Sequence, residues 1–140
     1  MSEIKETEVA ATAEQAAPDG RRVQVGPSQF DEGLVELPLI CDWPNRPRQR
    51  VDHERGKPAL TRWRVLARDG QAQRTRVELE PVTGRSHQLR LHMASLGHPI
   101  VGDMLYGAVP APRVYLHACA LAFTHPVTGA ALAFESAAPF

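Results

Sequence analysis

Two runs of alternating apolar and polar residues, ALTRWRVLAR and TRVELEP, flank the turn pair Asp69-Gly70. Alternation with period two marks a strand with one buried face, and Asp-Gly between two such runs is a strong short-range hairpin signal. Thr61, Trp63 and Val65 are assigned to one face, and Leu60, Arg62, Arg64 and Leu66 to the other. A second hairpin is expected in VYLHACALAFTHPVTGAALAFES, which alternates through Leu116, Ala118, Ala120 and Ala122, turns at residues 126–129 and closes on Leu132 and Phe134. Before the first hairpin, LVELPLI predicts a short strand interrupted by Pro38, which cannot donate a ladder hydrogen bond. CDWPNRPRQRVDHERGKPA, broken by three prolines and Gly56, predicts loop.

Between the hairpins lies TGRSHQLRLHMASLG. Ser86 is expected to cap a helix running to about residue 96, with Gly97 ending it. Leu89, Met93 and Leu96 fall on one stripe, and steps of ~100° place Arg90 beside it, so Arg90 is expected to be partly buried. HPIVGDMLYG, with Gly102 and Gly107, then reads as loop. One helix with four or five strands predicts an α+β fold with an antiparallel or mixed sheet. At 140 residues and 43% hydrophobic content the chain can bury a single core, and aromatics at 6% make that core aliphatic.

The front of the chain has a different texture. Ala, Glu, Thr and Gln dominate the first 17 residues, and Pro18, Asp19 and Gly20 follow. Residues 1–30 are therefore expected to form an acidic, disordered leader, although propensity alone permits a short helix over residues 3–17. The formal net charge of zero hides an asymmetry: three basic and seven acidic residues precede position 34, leaving thirteen basic and nine acidic residues beyond it. A mildly basic body points, weakly, to an anionic partner. Only Cys41 and Cys119 are present, no basic-then-apolar segment opens the chain, and no apolar run has the length of a membrane span. Reduced thiols in a cytoplasmic protein are the expectation.

Chemistry is concentrated in two places. Arg46, Arg48, Arg50, Arg55, Lys57, Arg62 and Arg64 lie close together, opposed only by Asp52 and Glu54. A planar guanidinium binds two phosphate oxygens at once, so this segment suits RNA or DNA, and equally suits a solvated face. In the helix segment, Arg85 stands before a helix N-terminus that favours anions. A half-buried Arg90 needs a fixed anion, with Asp103 or Glu80 as internal choices. His87 and His92 are five apart, about 140° round a helix, and cannot share a metal as residues four apart do. His117 and Cys119 have no convincing further ligand, so no metal site is expected. Cys119, between alanines, reads as an inert thiol and His92 as a hydrogen-bonded core residue.

TGRSHQLRLHMASLGHPIVGDMLYG resembles the third conserved motif of the RluA-type RNA pseudouridine synthases, G-R-[ST]-H-Q-[IL]-R-x-H followed by G-x-P-[IL]-x-G-D-x-x-Y. RVYLHACALAFTHPVTG matches the strands that follow it in that family. EGLVELPLICDWPNRPRQRVDHERGKPALTRWRV is most similar to the branch that modifies both ribosomal and transfer RNA. The resemblance covers about residues 31–140, and implies the C-terminal portion of an incomplete synthase catalytic domain. It implies isomerisation of a flipped-out uridine to pseudouridine without cofactor or metal. It also implies that Arg90 pairs with the family's nucleophilic aspartate, and that Arg46, Arg48, Arg50, Arg85, His87 and Gln88 lie along ribosomal or transfer RNA stem-loops. Gly84, His92, Gly102, Asp103, Tyr106 and His117 are the motif's structural positions.

Two family segments have no counterpart. The aspartate's H-R-L-D-x-x-T-S-G motif is absent, and Asp19, Asp31, Asp42, Asp52, Asp69 and Asp103 all stand in other contexts. The active-site tyrosine segment K-x-Y-x-A is absent too, and neither Tyr106 nor Tyr115 replaces it. The chain is therefore expected to be inactive alone, as a truncated or frame-shifted product would be. A complementary N-terminal fragment or self-association would cover its open sheet edge and apolar surface. An RNA-binding module without catalysis and a non-functional remnant remain the alternatives.

Overall fold

The computed structural model describes the backbone of residues 2–12 and the whole of residues 30–71 and 74–140. Among these residues are eight strands and one α-helix: β1 (Ser2–Thr12), β2 (Glu32–Glu36), β3 (Leu39–Cys41), β4 (Gln49–Val51), β5 (Leu60–Asp69), β6 (Arg74–Pro81), α1 (Gln88–Ser95), β7 (Leu116–Thr124) and β8 (Ala131–Glu135). Short 3-10 turns cover Trp43–Asn45 and Met104–Tyr106. Six strands form one sheet in the order β2-β5-β6-β1-β7-β8, and β3 pairs with β4 separately. Every pairing is antiparallel, so the α+β expectation holds in its antiparallel form.

Both hairpins form where alternation placed them. In β5, Thr61 and Trp63 are buried, while Arg62, Arg64 and Leu66 face outward. The buried face meets Val35 of β2, Val77 and Leu79 of β6, and Met93, Leu96 and Ile100 of the helix region in one cluster. Met93, Leu79 and Ile100 are fully buried, and truncation of such a side chain typically costs 2–5 kcal/mol. A second cluster joins Leu39, Ala59, Leu91 and Tyr106, and seats the β3–β4 hairpin against the other side of α1. The helix is thus buried on more than the single predicted stripe.

Two local expectations are corrected around the helix and the segment before β5. Residues 41–59 are expected to be mostly loop, yet Gln49–Val51 pairs with Leu39–Cys41. The three prolines lie outside the paired residues, so none blocks the ladder. The helix is capped by His87, not Ser86, and no side chain caps it in the usual way. His87 holds a left-handed backbone (φ 54°), the only non-glycine among the described residues to do so. At the other end Gly97 (φ 81°) ends the helix as expected, where a Cβ would be strained.

Ser2–Thr12, expected to be disordered, runs as β1 between β6 and β7. No pairing joins β6 to β7 directly among the described residues. Each presents unpaired backbone groups, and an extended segment containing Ile4, Thr7, Val9 and Thr12 satisfies both ladders at once. Tertiary pairing outweighs the weak local preference of an Ala- and Glu-rich segment. Residues 13–29, with the break at residues 18–20 and Asp19, lie outside the described residues.

Candidate functional site

The turn between β6 and α1 is organised by Gln88. This side chain is only 3% exposed. Its carbonyl oxygen accepts hydrogen bonds from the Thr83 hydroxyl (2.7 Å) and the Arg85 amide (3.0 Å). Its amide nitrogen donates to the Leu60 carbonyl (2.9 Å) and to Thr61 Oγ1 (3.0 Å). All four hydrogen-bonding positions of the amide are therefore used inside the protein. In this arrangement Gln88 has nothing left to offer RNA; it ties the start of the helix to the start of β5.

The same chain of bonds continues into the core. Thr61 Oγ1 lies 2.8 Å from His92 Nδ1, and His92 Nε2 lies 3.0 Å from the Leu37 carbonyl. A carbonyl only accepts, so Nε2 carries the proton and Nδ1 accepts from the Thr61 hydroxyl. Burial pushes the His92 pKa down, against the opposing pull of its bond to Leu37. His92 is thus the neutral, hydrogen-bonded core residue expected from its place beside the apolar stripe.

Arg90 and Asp103 form the charged centre. Arg90 Nε donates to Asp103 Oδ2 and one terminal nitrogen to Oδ1, both at 2.8 Å. The Arg90 side chain is 24% exposed and that of Asp103 is fully buried. Two parallel bonds to one carboxylate are the strong geometry for a guanidinium. The bond to Asp103 raises the Arg90 pKa, outweighing desolvation. Gly102 (φ 83°) makes the turn that presents Asp103, and a Cβ there would lie 1.9 Å from the Arg113 carbonyl oxygen. One of the two internal partners considered from sequence is therefore the one used.

Tyr106 closes the centre. Its hydroxyl accepts from the Gln49 amide (2.9 Å) and shares a hydrogen bond with His87 Nδ1, 2.8 Å away. The guanidinium carbons of Arg90 and Arg48 lie 5.3 and 5.6 Å from its ring centre. Burial raises the Tyr106 pKa. Desolvation and then the nearby Arg90 charge lower that of His87, while Asp103 opposes them. The left-handed turn at His87 is what brings its ring edge-on to Tyr106, at 5.8 Å.

The basic segment divides in two. Arg62 and Arg64 lie on the outer face of β5, and Arg64 is paired with Glu78 at 2.9 Å. Arg55, Lys57 and Arg85 line a cleft with Leu39, Ile40, Cys41, Gln49, Gly84 and Ser86. Arg46 covers the Trp43 ring at 4.1 Å, and Arg50 pairs with Asp52 at 3.1 Å. Arg46, Arg48, Arg50 and Arg85 are exposed, as candidates for RNA contact must be. His117 bonds Ser136 through Nε2 at 3.1 Å, tying β7 to the segment after β8. Cys119 is half-buried rather than enclosed. Trp43, Thr61 and Thr83 escaped the sequence reading; a threonine on the apolar face of β5 was the visible signal for Thr61.

A family model described as RNA pseudouridylate synthase matches residues 9–95. The chain is 56% identical over 119 residues to the dual-specificity RNA pseudouridine synthase RluA of Pasteurella multocida, covering 82% of this chain and 54% of that protein. It is 55% identical over 115 residues to the protein of the same name from Escherichia coli K12, covering 78% and 51%. The solved human RNA pseudouridylate synthase domain containing 1 superposes with a TM-score of 0.74 at 26% identity, covering 99% of this chain and 56% of that one. Human RNA pseudouridylate synthase domain containing 4 shares the fold at a TM-score of 0.64 and 20% identity. The chain spans about half the length of the curated relatives it matches.

Proposed function

This chain belongs to the RNA pseudouridylate synthase family, and from that premise we propose that it supplies the RNA-holding and ion-pair portion of an enzyme converting uridine to pseudouridine in ribosomal and transfer RNA. Alone it binds RNA without isomerising it. The observation that carries this reading is the state of Arg90 and Asp103. Asp103 is fully buried, with both oxygens held in the Arg90 fork, so it is no nucleophile. The other described aspartates are engaged elsewhere: Asp31 with Arg68, Asp42 with Asn45, Asp52 with Arg50, and Asp69 with the Gln71 amide.

Arg90 is nevertheless built to receive a second carboxylate. Asp103 takes the Nε edge of the guanidinium, which leaves three of its five N–H groups. Asp103 fixes the plane, and the remaining N–H groups suit an aspartate brought by another segment. Such a contact would keep that aspartate ionised and oriented. The partners are RNA and a segment carrying the family's aspartate motif. The basic cleft and the exposed arginines favour RNA binding in the isolated chain as well.

Tritium release from RNA labelled at uridine C5 tests this, because loss of that hydrogen is obligatory in the isomerisation. The expected result is no release from the chain alone, together with RNA binding that weakens steeply as salt rises. Release above background, abolished by Arg90→Ala, would overturn the claim that the nucleophile must come from elsewhere.

A further inference from the structure

We propose that the β3–β4 hairpin carries a subsite for one unstacked nucleotide of single-stranded RNA, its base on the open face of Trp43 and its phosphate in the cleft of Arg55, Lys57 and Arg85. The proposal rests on the reading that this chain binds RNA. Its first ground is Trp43 itself, which is 67% exposed at the hairpin tip. An exposed indole offers a flat π-face on which a nucleobase can stack. The tip holds it in place: the Asn45 amide bonds the Asp42 carbonyl (2.9 Å), the Arg48 amide bonds Asn45 (3.0 Å), and Asp42 N–H bonds the Arg48 carbonyl (2.9 Å). The Asn45 side chain also donates to the Asp42 carboxylate at 3.0 Å. Arg46 lies on one face of the indole, and no ring of the described residues stacks on the other. A base stacked there would extend an existing guanidinium–indole pair.

The second ground is independent of the first. The hairpin body, through Leu39, Ile40, Cys41 and Gln49, forms one wall of the cleft that Arg55, Lys57 and Arg85 line. None of these three cations makes an ion pair among the described residues. Arg85 is anchored through Nε to the Pro58 carbonyl (3.0 Å), which leaves its terminal nitrogens for an anion. Trp43 lies two residues after Cys41 of the cleft wall, so their Cα atoms are within ~7 Å of each other. The nearby carboxylates of Asp42 and Asp52 are already committed, to Asn45 and to Arg50. An aromatic face beside unpaired cations is the chemistry that recognises an unpaired nucleotide, since a duplex keeps its base faces stacked.

The test uses the whole chain, a short labelled uridine-rich single strand, and a duplex of equal length. Trp43→Leu is expected to weaken single-strand binding ~5- to 100-fold, leaving the duplex affinity and the salt slope unchanged. Trp43→Phe retains most of the affinity. Lys57→Gln weakens both RNAs and lowers the salt slope by about one. Equal single-strand affinity for Trp43→Leu and the parent overturns the subsite and leaves the functional reading intact. No binding of either RNA by the parent overturns both.

Discussion

Replacing Thr61 by valine changes one hydroxyl for one methyl at a fully buried position, so neither cavity nor clash complicates the result. That hydroxyl accepts from Gln88 at 3.0 Å and donates to His92 Nδ1 at 2.8 Å. Its loss strands one N–H of Gln88 and one ring nitrogen of His92. Each unsatisfied buried group costs ~1–3 kcal/mol, and an orphaned acceptor falls at the low end, so about 3 kcal/mol is expected in total. For a domain of this size that is on the order of 10 °C in Tm. Thr61→Ser is the control: it keeps the hydroxyl, loses a methyl, and should cost only about 1 kcal/mol. Urea denaturation followed by far-ultraviolet circular dichroism measures both. If Thr61→Val is as stable as Thr61→Ser, the hydroxyl does not hold the helix to β5.

Two further outcomes follow from the same core. Asp103→Ala leaves a guanidinium that is 24% exposed without its carboxylate and should destabilise by ~2–3 kcal/mol, below the range for a fully buried pair. Combining it with Arg90→Met should recover at least half of that loss in denaturant melts, and strict additivity would refute the pairing. The pH dependence has a definite sign. The native His92 pKa lies below the ordinary 6.5, so the unfolded chain binds more protons as pH falls. Stability should be complete above about pH 7 and fall below pH 6.5, by at most ~1.4 kcal/mol per unit for this group, until pH passes the native value. His92→Asn should reduce that slope and leave the share of His87, whose pKa is lowered as well; an unchanged slope would remove His92 as a source.

The sequence by itself determined the two hairpins, the buried face of β5, the break at Pro38, the helix with Gly97 at its end, and the half-burial of Arg90. These follow from periodicity, proline and glycine, which act within a few residues. The motif also announced the family, and the family matches bear it out. Which residues meet across the chain was decided by tertiary structure. Gln88 looked like a surface contact, and only the approach of β5 shows its amide saturated within the protein. Asp103 and Glu80 were equal choices for Arg90 until the turn at Gly102 delivered Asp103. His87 took the cap position because its left-handed turn reaches Tyr106, and helix propensity says nothing about a partner nineteen residues away. An Ala- and Glu-rich opening segment became a sheet strand because two ladders stood open on either side of it. Local chemistry thus sets which elements form, whereas pairing of polar groups between elements sets what each motif residue does, since a buried donor or acceptor is satisfied only by whatever the fold places beside it.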